Sequence, residues 1–325
     1  MIISQTPMRM SFFGGGTDFP EFFKEHSGTV ISTTFDKYCH VNVKEMPDLF
    51  EYKTYLSYAK IEKVSSVDEI QHPAIKNAMK WLGLEKICLN YDADVPAKTG
   101  LGTSSAFSVG MLNAFYTMMG EEKTKRQLAD DAIYLERTLC NEDGGIQDQI
   151  ASAFGGFNRI DFNADGYSVT PINFCNGRKE MLEENLMLFF TGLSRFSFHI
   201  QKKTKQMLPQ NTERLLRMLK MVDEAEDILT NPQRNLNDFG SLLNETWLQK
   251  REISSEISTD YIDIAYQKAI DAGALGGKLL GAGGGGCLLF YVEKENQDSV
   301  RCALSDMLEI PFRFENDGTK IICNY

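Results

Sequence analysis

Pro96-Ala97-Lys98-Thr99-Gly100-Leu101-Gly102-Thr103-Ser104-Ser105-Ala106 runs into a segment where Ala106, Val109, Leu112 and Tyr116 recur at helical spacing. Gly120 stands where the C-terminal cap of that helix belongs. The spacing predicts a glycine-rich loop feeding a helix N-terminus. Such a terminus carries free N–H groups and about half a positive charge. Glycines ahead of it let further N–H groups curl round an anion. Ser104 and Ser105 add hydroxyls that can ligate Mg²⁺ or hydrogen-bond phosphate oxygens. A serine N-cap on an ordinary helix, worth about 1 kcal/mol, accounts for the same letters. No Walker lysine follows the loop, which excludes the usual P-loop arrangement.

Upstream, residues 2–13 read as a strand that ends in Gly14-Gly15-Gly16, where the backbone can turn with positive φ or approach a ligand closely. Residues 29–34 and 40–43 read as strands of a hairpin or meander, and 86–92 as another strand. Downstream, Leu128, Ala132, Leu135 and Leu139 share one helix face, and Asp143-Gly144-Gly145 breaks the pattern. A short helix over 146–154 should end at Gly155-Gly156, followed by a buried strand over 186–190. Long helices are expected at 201–229 and 236–256, and a shorter one at 262–272. A second glycine loop, Gly281-Ala282-Gly283-Gly284-Gly285-Gly286, matches GxGxxG letter for letter. A dinucleotide fingerprint leaves a strand and enters a helix. Here a helix is expected before the loop and a strand, 287–292, after it. Five glycines in six residues still exceed what a tight turn requires.

The chain's 325 residues exceed what one core usually serves, so two domains are expected, with a boundary near 175–190. The net charge of −11 argues against a nucleic-acid partner, which needs clustered Lys and Arg. Seven scattered cysteines without a CxxC pair fit reduced thiols, and the four histidines lack metal-ligand spacing. No signal peptide opens the chain and the apolar runs are too short to span a bilayer, so a cytoplasmic protein without membrane contact is expected.

Several charged residues suggest chemistry. Phosphoryl transfer needs a carboxylate to hold Mg²⁺ and often a second to orient or deprotonate the attacking hydroxyl. Glu136 and Asp148 are candidates, although Glu136 fits a solvated helix face equally well. Asp148 lies between Ile146 and Ile150, too apolar a context for a simple surface turn. Arg9 interrupts the apolar run Met8-Arg9-Met10-Ser11-Phe12-Phe13. If it points inward it needs an anionic partner, and Asp148 is the one expected. Asp18, just past Gly16-Thr17, can accept hydrogen bonds from sugar hydroxyls or simply cap a turn.

Three segments, 7–18, 96–106 and 278–286, together resemble the three motifs of the GHMP kinases (galactokinase, homoserine kinase, mevalonate kinase, phosphomevalonate kinase). The third reads KLLGAGGGGC, and the likeness spans most of the chain. It implies an α+β fold: an N-terminal domain like ribosomal protein S5 domain 2 over residues 1–180, then a ferredoxin-like C-terminal domain over 181–325. It also implies ATP and Mg²⁺ as cofactors. Lys98, Gly100, Leu101, Gly102, Thr103, Ser104 and Ser105 would cradle the phosphates, and Ser104 and Glu136 would hold the metal. The loop reads GLGTSSA where the commoner form is GLGSSAA, so Thr103 and Ser105 compete with Ser104 as the ligating hydroxyl. Asp148, in Gly145-Ile146-Gln147-Asp148-Gln149, resembles the catalytic aspartate of galactokinases (GIMDQ), and Arg9 matches the arginine paired with it.

The GGGTD form of the first motif, with Ser32-Thr33-Thr34-Phe35-Asp36-Lys37-Tyr38-Cys39, is similar to the D-glycero-D-manno-heptose 7-phosphate kinases. That resemblance implies a sugar phosphate phosphorylated at its anomeric hydroxyl. Gly15, Gly16, Thr17, Asp18, Lys37, Gly145, Arg195, Gly283 and Gly284 would surround it, with Lys37 and Arg195 as candidates for a distal phosphate. A fucokinase- or galactokinase-like monosaccharide kinase is the first rival. A catalytically silent sugar sensor is the second, and a nicotinamide-dependent dehydrogenase, from GxGxxG alone, the third. ATP and a small sugar are the expected partners, and a homodimer is left open.

Overall fold

The computed structural model describes residues 1–175, 177–193 and 197–325. Burial alternates at the start of β1 (Ile2–Phe13) and becomes continuous beyond it, as in a strand covered on both faces. After the glycine turn come α1 (Pro20–His26) and β2 (Gly28–Glu45). Residues 29–34 and 40–43, expected as two strands, are parts of this single 18-residue strand. Its pairing with β1 shifts between Pro7 and Met8, so Asp36 and Lys37 have no partner in the register. Pro7 has no N–H to give the ladder, and the bulge bends β2 without ending it.

The first unit continues with β3 (Thr54–Ser57), β4 (Ile61–Val64), α2 (Pro73–Leu82), β5 (Ile87–Ala93), α3 (Thr103–Met118) and α4 (Lys125–Ile133). A π-helical turn, Tyr134–Leu139, then leads to α5 (Gln147–Phe154), β6 (Phe157–Asn163) and β7 (Gly166–Pro171). The helix α3 is apolar nearly all round because it is buried nearly all round, against β1, β2 and α5.

The second unit runs α6 (Arg178–Asn185), β8 (Leu186–Phe190), α7 (Ser197–Met207), α8 (Thr212–Thr230), α9 (Asn237–Arg251), α10 (Asp260–Asp271), β9 (Gly276–Leu279), β10 (Cys287–Tyr291), α11 (Gln297–Ala303) and β11 (Leu308–Glu309). Its sheet has the order β11-β8-β10-β9, all antiparallel. That order, with helices between its first and second and its third and fourth strands, is the ferredoxin-like arrangement. The helix expected over 201–229 is two, parted at Pro209, which cannot continue α7. The GxGxxG loop joins β9 to β10, so a strand precedes it where a helix was expected. No helix follows it, and the dinucleotide fingerprint fails on that side.

The chain then returns. β12 (Phe314–Glu315) pairs with β2 and β13 (Lys320–Asn324) with β1, placing the tail of the 181–325 unit in the first sheet. That sheet carries nine strands among the described residues. One apolar cluster joins Met8, Met10, Phe12 and Phe13 of β1 to Val222, Phe239 and Leu243 of α8 and α9. Phe12 and Phe13 meet Phe239 edge-on at centroid distances of 5.5 and 5.0 Å. Each such ring is worth about 1.5–3 kcal/mol in burial, so the two units share a core that holds the cleft between them. Among the described residues no helix is long and apolar enough to cross a membrane.

Candidate active site

Arg9 stands at the middle of the site. Its side chain is 5% exposed, on β1 between Met8 and Met10. The guanidinium makes a bidentate pair with Asp148, Nε to Oδ1 at 2.7 Å and Nη2 to Oδ2 at 2.7 Å. Its third arm, Nη1, donates to the carbonyl of Gly100 at 2.6 Å. A buried guanidinium left unpaired would cost several kcal/mol, and here each of its three nitrogens has an acceptor. One side chain therefore ties the Asp148 carboxylate on α5 to the glycine loop before α3.

The two glycine loops are packed against each other. A Cβ on Gly100 (φ +78°) would lie 2.4 Å from the carbonyl oxygen of Leu280, and one on Gly281 (φ +76°) 2.5 Å from Cα of Gly100. A Cβ on Gly286 would lie 2.4 Å from the oxygen of Thr99. Cys287 N–H donates to that same oxygen at 3.0 Å. Gly283 and Gly284 pack on Ile257, with Gly284 N–H bonded to its carbonyl at 2.9 Å. A Cβ on Gly285 would lie 2.9 Å from the carbonyl oxygen of Leu193, which completes the account of the five glycines. The loop at 281–286 is a clamp seated on the loop at 99–102.

Gly102 is the N-cap of α3 and supplies no side-chain cap. The serine-cap reading therefore fails, and the first-turn N–H groups of Thr103, Ser104 and Ser105 receive no side-chain cap, as an anion-binding terminus requires. Leu101 and Thr103 are buried, Ser104 is exposed, and Lys98 sits on the exposed rim with φ 66°. Ser105 points the other way, donating to Glu136 Oε2 at 3.1 Å.

Glu136 lies in the π-helical turn, a distortion common at functional sites, and is 3% exposed. Its Oε2 also accepts from Gln149 at 2.5 Å, while Oε1 has no hydrogen-bond partner among the described residues. Burial pushes its pKa up, against the opposing pull of Arg137. A buried carboxylate with an orphaned oxygen fits a cation. Among the described residues no three His, Cys, Asp or Glu side chains form a cage.

Beside Asp148 opens a cleft lined by polar and charged side chains. Gly15, Gly16, Asp18, Gly145 and Asp148 line it. Asp18 is 2% exposed. Its carboxylate accepts from the N–H groups of Gly16 at 2.9 Å and Gln147 at 3.4 Å. A Cβ on Gly145 would fall 1.9 Å from its Oδ2. Burial raises the Asp18 pKa, and these N–H donors oppose the rise. Asp18 thus locks two glycine turns together as well as facing the cleft.

Four expected contacts lie elsewhere. Thr17 is buried, with its hydroxyl spent on the carbonyls of Gly14 and Thr29. Gly283 and Gly284 serve the clamp and do not line the cleft. Lys37 lies on the β2 bulge, 3.1 Å from Asp36 Oδ1, and does not line the cleft. Arg195 lies outside the described residues. Sequence reasoning missed Lys250, Lys278, Ser11 and Gln147, all of which line the cleft. It also missed Arg137, which holds the turn before α5 by donating to the carbonyls of Glu142, Asp143 and Gly145. Lys250 had a signal: it follows Leu243 and Trp247 along the buried stripe of α9, where a lysine is out of place.

The family descriptions "GHMP kinases N terminal domain" and "GHMP kinases C terminal" match residues 69–156 and 225–310. The chain is 31% identical to a D-glycero-alpha-D-manno-heptose 7-phosphate kinase of Campylobacter jejuni, over 98% of each. It is 26% identical to an L-fucokinase/L-fucose-1-P guanylyltransferase of Bacteroides fragilis, across 93% of this chain but 35% of that longer protein. The crystal structure of a D-glycero-D-manno-heptose 1-phosphate kinase from Bacteroides thetaiotaomicron superposes with a TM-score of 0.75 and 25% identity, covering all of both chains.

Proposed function

The chain belongs to the GHMP kinases, as an ATP-dependent sugar kinase, and from that premise we propose that it phosphorylates the anomeric hydroxyl of D-glycero-D-manno-heptose 7-phosphate to give the 1,7-bisphosphate. The observation that carries the reading is the Arg9 bridge, which sets Asp148 and the α3 N-terminus side by side. The Campylobacter relative supports the substrate.

In the proposed reaction the N–H groups of the first turn of α3 hold the ATP phosphates. Asp148 orients the acceptor hydroxyl and takes its proton. The acceptor oxygen then bonds the γ-phosphorus while the bond from that phosphorus to the bridging oxygen breaks, and ADP leaves. Each Asp148 oxygen keeps a lone pair beyond its bond to Arg9. An anomeric hydroxyl is more acidic than an ordinary alcohol, which lightens the task of the base. Ser104 or Ser105, with Glu136, would hold Mg²⁺, which supplies charge neutralisation on the phosphates. The clamp at 281–286 excludes water as a competing acceptor. Positioning and electrostatics carry most of such a rate.

The test is ADP release across heptose 7-phosphate, L-fucose, galactose and mannose. The heptose phosphate should lead in kcat/KM by at least about tenfold. Activity should vanish with EDTA and return with Mg²⁺. L-fucose as the better substrate would replace the reading with a fucokinase, and no turnover with any sugar would favour a silent sensor.

A further inference from the structure

Lys250 and Lys278 bring two cations into the acceptor cleft that the proposed transfer does not use. Lys250 is 8% exposed and Lys278 2% exposed. Their hydrogen bonds go to backbone carbonyls: Lys250 Nζ to Gly281 at 2.5 Å and Leu279 at 3.5 Å, and Lys278 Nζ to Phe12 at 2.6 Å. Among the described residues neither forms an ion pair with a carboxylate. A buried ammonium without an anion is costly. The Ser11 hydroxyl lines the same cleft, on a residue 7% exposed, and its Oγ has no partner among the described residues.

The charge balance names the missing partner. Arg9 and Asp148 neutralise each other in their bidentate pair. Asp18 is the other carboxylate lining the cleft, facing two lysines, so with both lysines protonated the wall carries an excess positive charge. Two ammonium groups and a hydroxyl match the oxygens of a phosphate monoester, which carries nearly two negative charges at neutral pH. We propose that Lys250, Lys278 and Ser11 form a phosphate-binding subsite in the acceptor cleft, one that takes a phosphate monoester dianion. The subsite rests on the proposed function only for its source, the acceptor sugar's own phosphate. The γ-phosphoryl group of ATP is the other source of the same chemistry. Burial brings Lys250 down to about 8, helped by Arg9 and opposed by Asp18 and Asp148, and brings Lys278 well below an ordinary lysine. An arriving dianion favours the protonated form of both.

Calorimetric or NMR titration of the full chain tests this. The probes are inorganic phosphate, heptose 7-phosphate, the unphosphorylated heptose and a non-hydrolysable ATP analogue, each against wild type, Lys250→Met and Lys250→Arg. Lys250→Met should weaken inorganic phosphate about tenfold or more, the effect of losing one charge-assisted hydrogen bond. It should shrink the preference for heptose 7-phosphate over heptose by a similar factor, and Lys250→Arg should recover most of both. Wild-type affinity for phosphate should fall as pH rises through about 8, where the ligand stays dianionic but Lys250 loses its proton. The methionine variant should lose the part of that dependence that Lys250 carries. Weakening of inorganic phosphate and the ATP analogue, with heptose 7-phosphate unchanged, keeps the subsite and assigns it to the γ-phosphate. Lysine-dependent phosphate binding in a protein that ignores every heptose also keeps the subsite, while the substrate reading fails. Unchanged phosphate and heptose 7-phosphate affinities in folded Lys250→Met overturn the proposal. If that variant does not fold, Ser11→Ala carries the same comparison.

Discussion

Asp148→Asn is expected to cut kcat by at least about two decades, the lower end of what a general base contributes, in a protein that still folds and binds ATP. The amide keeps the shape and one acceptor oxygen for Arg9. It loses the charge and the second acceptor, and it cannot take the proton of the sugar hydroxyl. One guanidinium N–H is then left facing an amide, at a cost of about 1–3 kcal/mol for a buried unsatisfied donor. The Asp148 side chain is 22% exposed, so water relieves part of that cost. Single-turnover rates at saturating ATP, with a thermal melt, separate the two effects. Unchanged turnover would remove Asp148 from the role of base. An unfolded variant would make the pair structural.

Gly100→Ala is expected to be nearly as severe for activity and worse for stability. The residue has φ +78°, and its added methyl would sit 2.4 Å from the Leu280 oxygen, which is backbone and cannot swing aside. The left-handed conformation alone costs an alanine about 1–2 kcal/mol. The overlap adds to that by prising the 281–286 clamp off the loop at 99–102 and shifting the carbonyl that holds Arg9. A displacement of about 1 Å at a reacting centre can cost about 10²-fold in rate. Gly83→Ala is the control. It has φ +67° but nothing within 4 Å of the added atom, so it should show the conformational cost alone and leave kcat intact. If the two alanines behaved alike, the contact between loops would have no functional weight.

The strand at 2–13 was legible because an apolar run stops at three glycines, and the helix after Gly102 because its apolar spacing is regular. The pairing of Arg9 with Asp148, 139 residues apart, was legible from the cost of an unpaired arginine in an apolar strand and from motif resemblance, since nothing local links them. What failed to show depends on pairing or on depth. The continuity of β2 rests on a bulge opposite Pro7, a property of two strands together. The strand β9 reads Gly-Gly-Lys-Leu, a poor strand sequence. It exists because Gly277 lies flat on Phe290, where a Cβ would fall 2.5 Å from the ring. Lys37 and Lys250 are equally plausible as letters, yet the bulge carries one away from the cleft and the buried stripe of α9 carries the other into it.

The most direct measurement is a crystal structure with a non-hydrolysable ATP analogue and heptose 7-phosphate bound together. The triphosphate should lie on the N–H groups of residues 102–105. The anomeric oxygen should sit about 2.6–3.2 Å from the Asp148 carboxylate, in line with the γ-phosphorus. A nucleotide bound on another face, or a sugar whose anomeric oxygen points away from Asp148, would contradict the account.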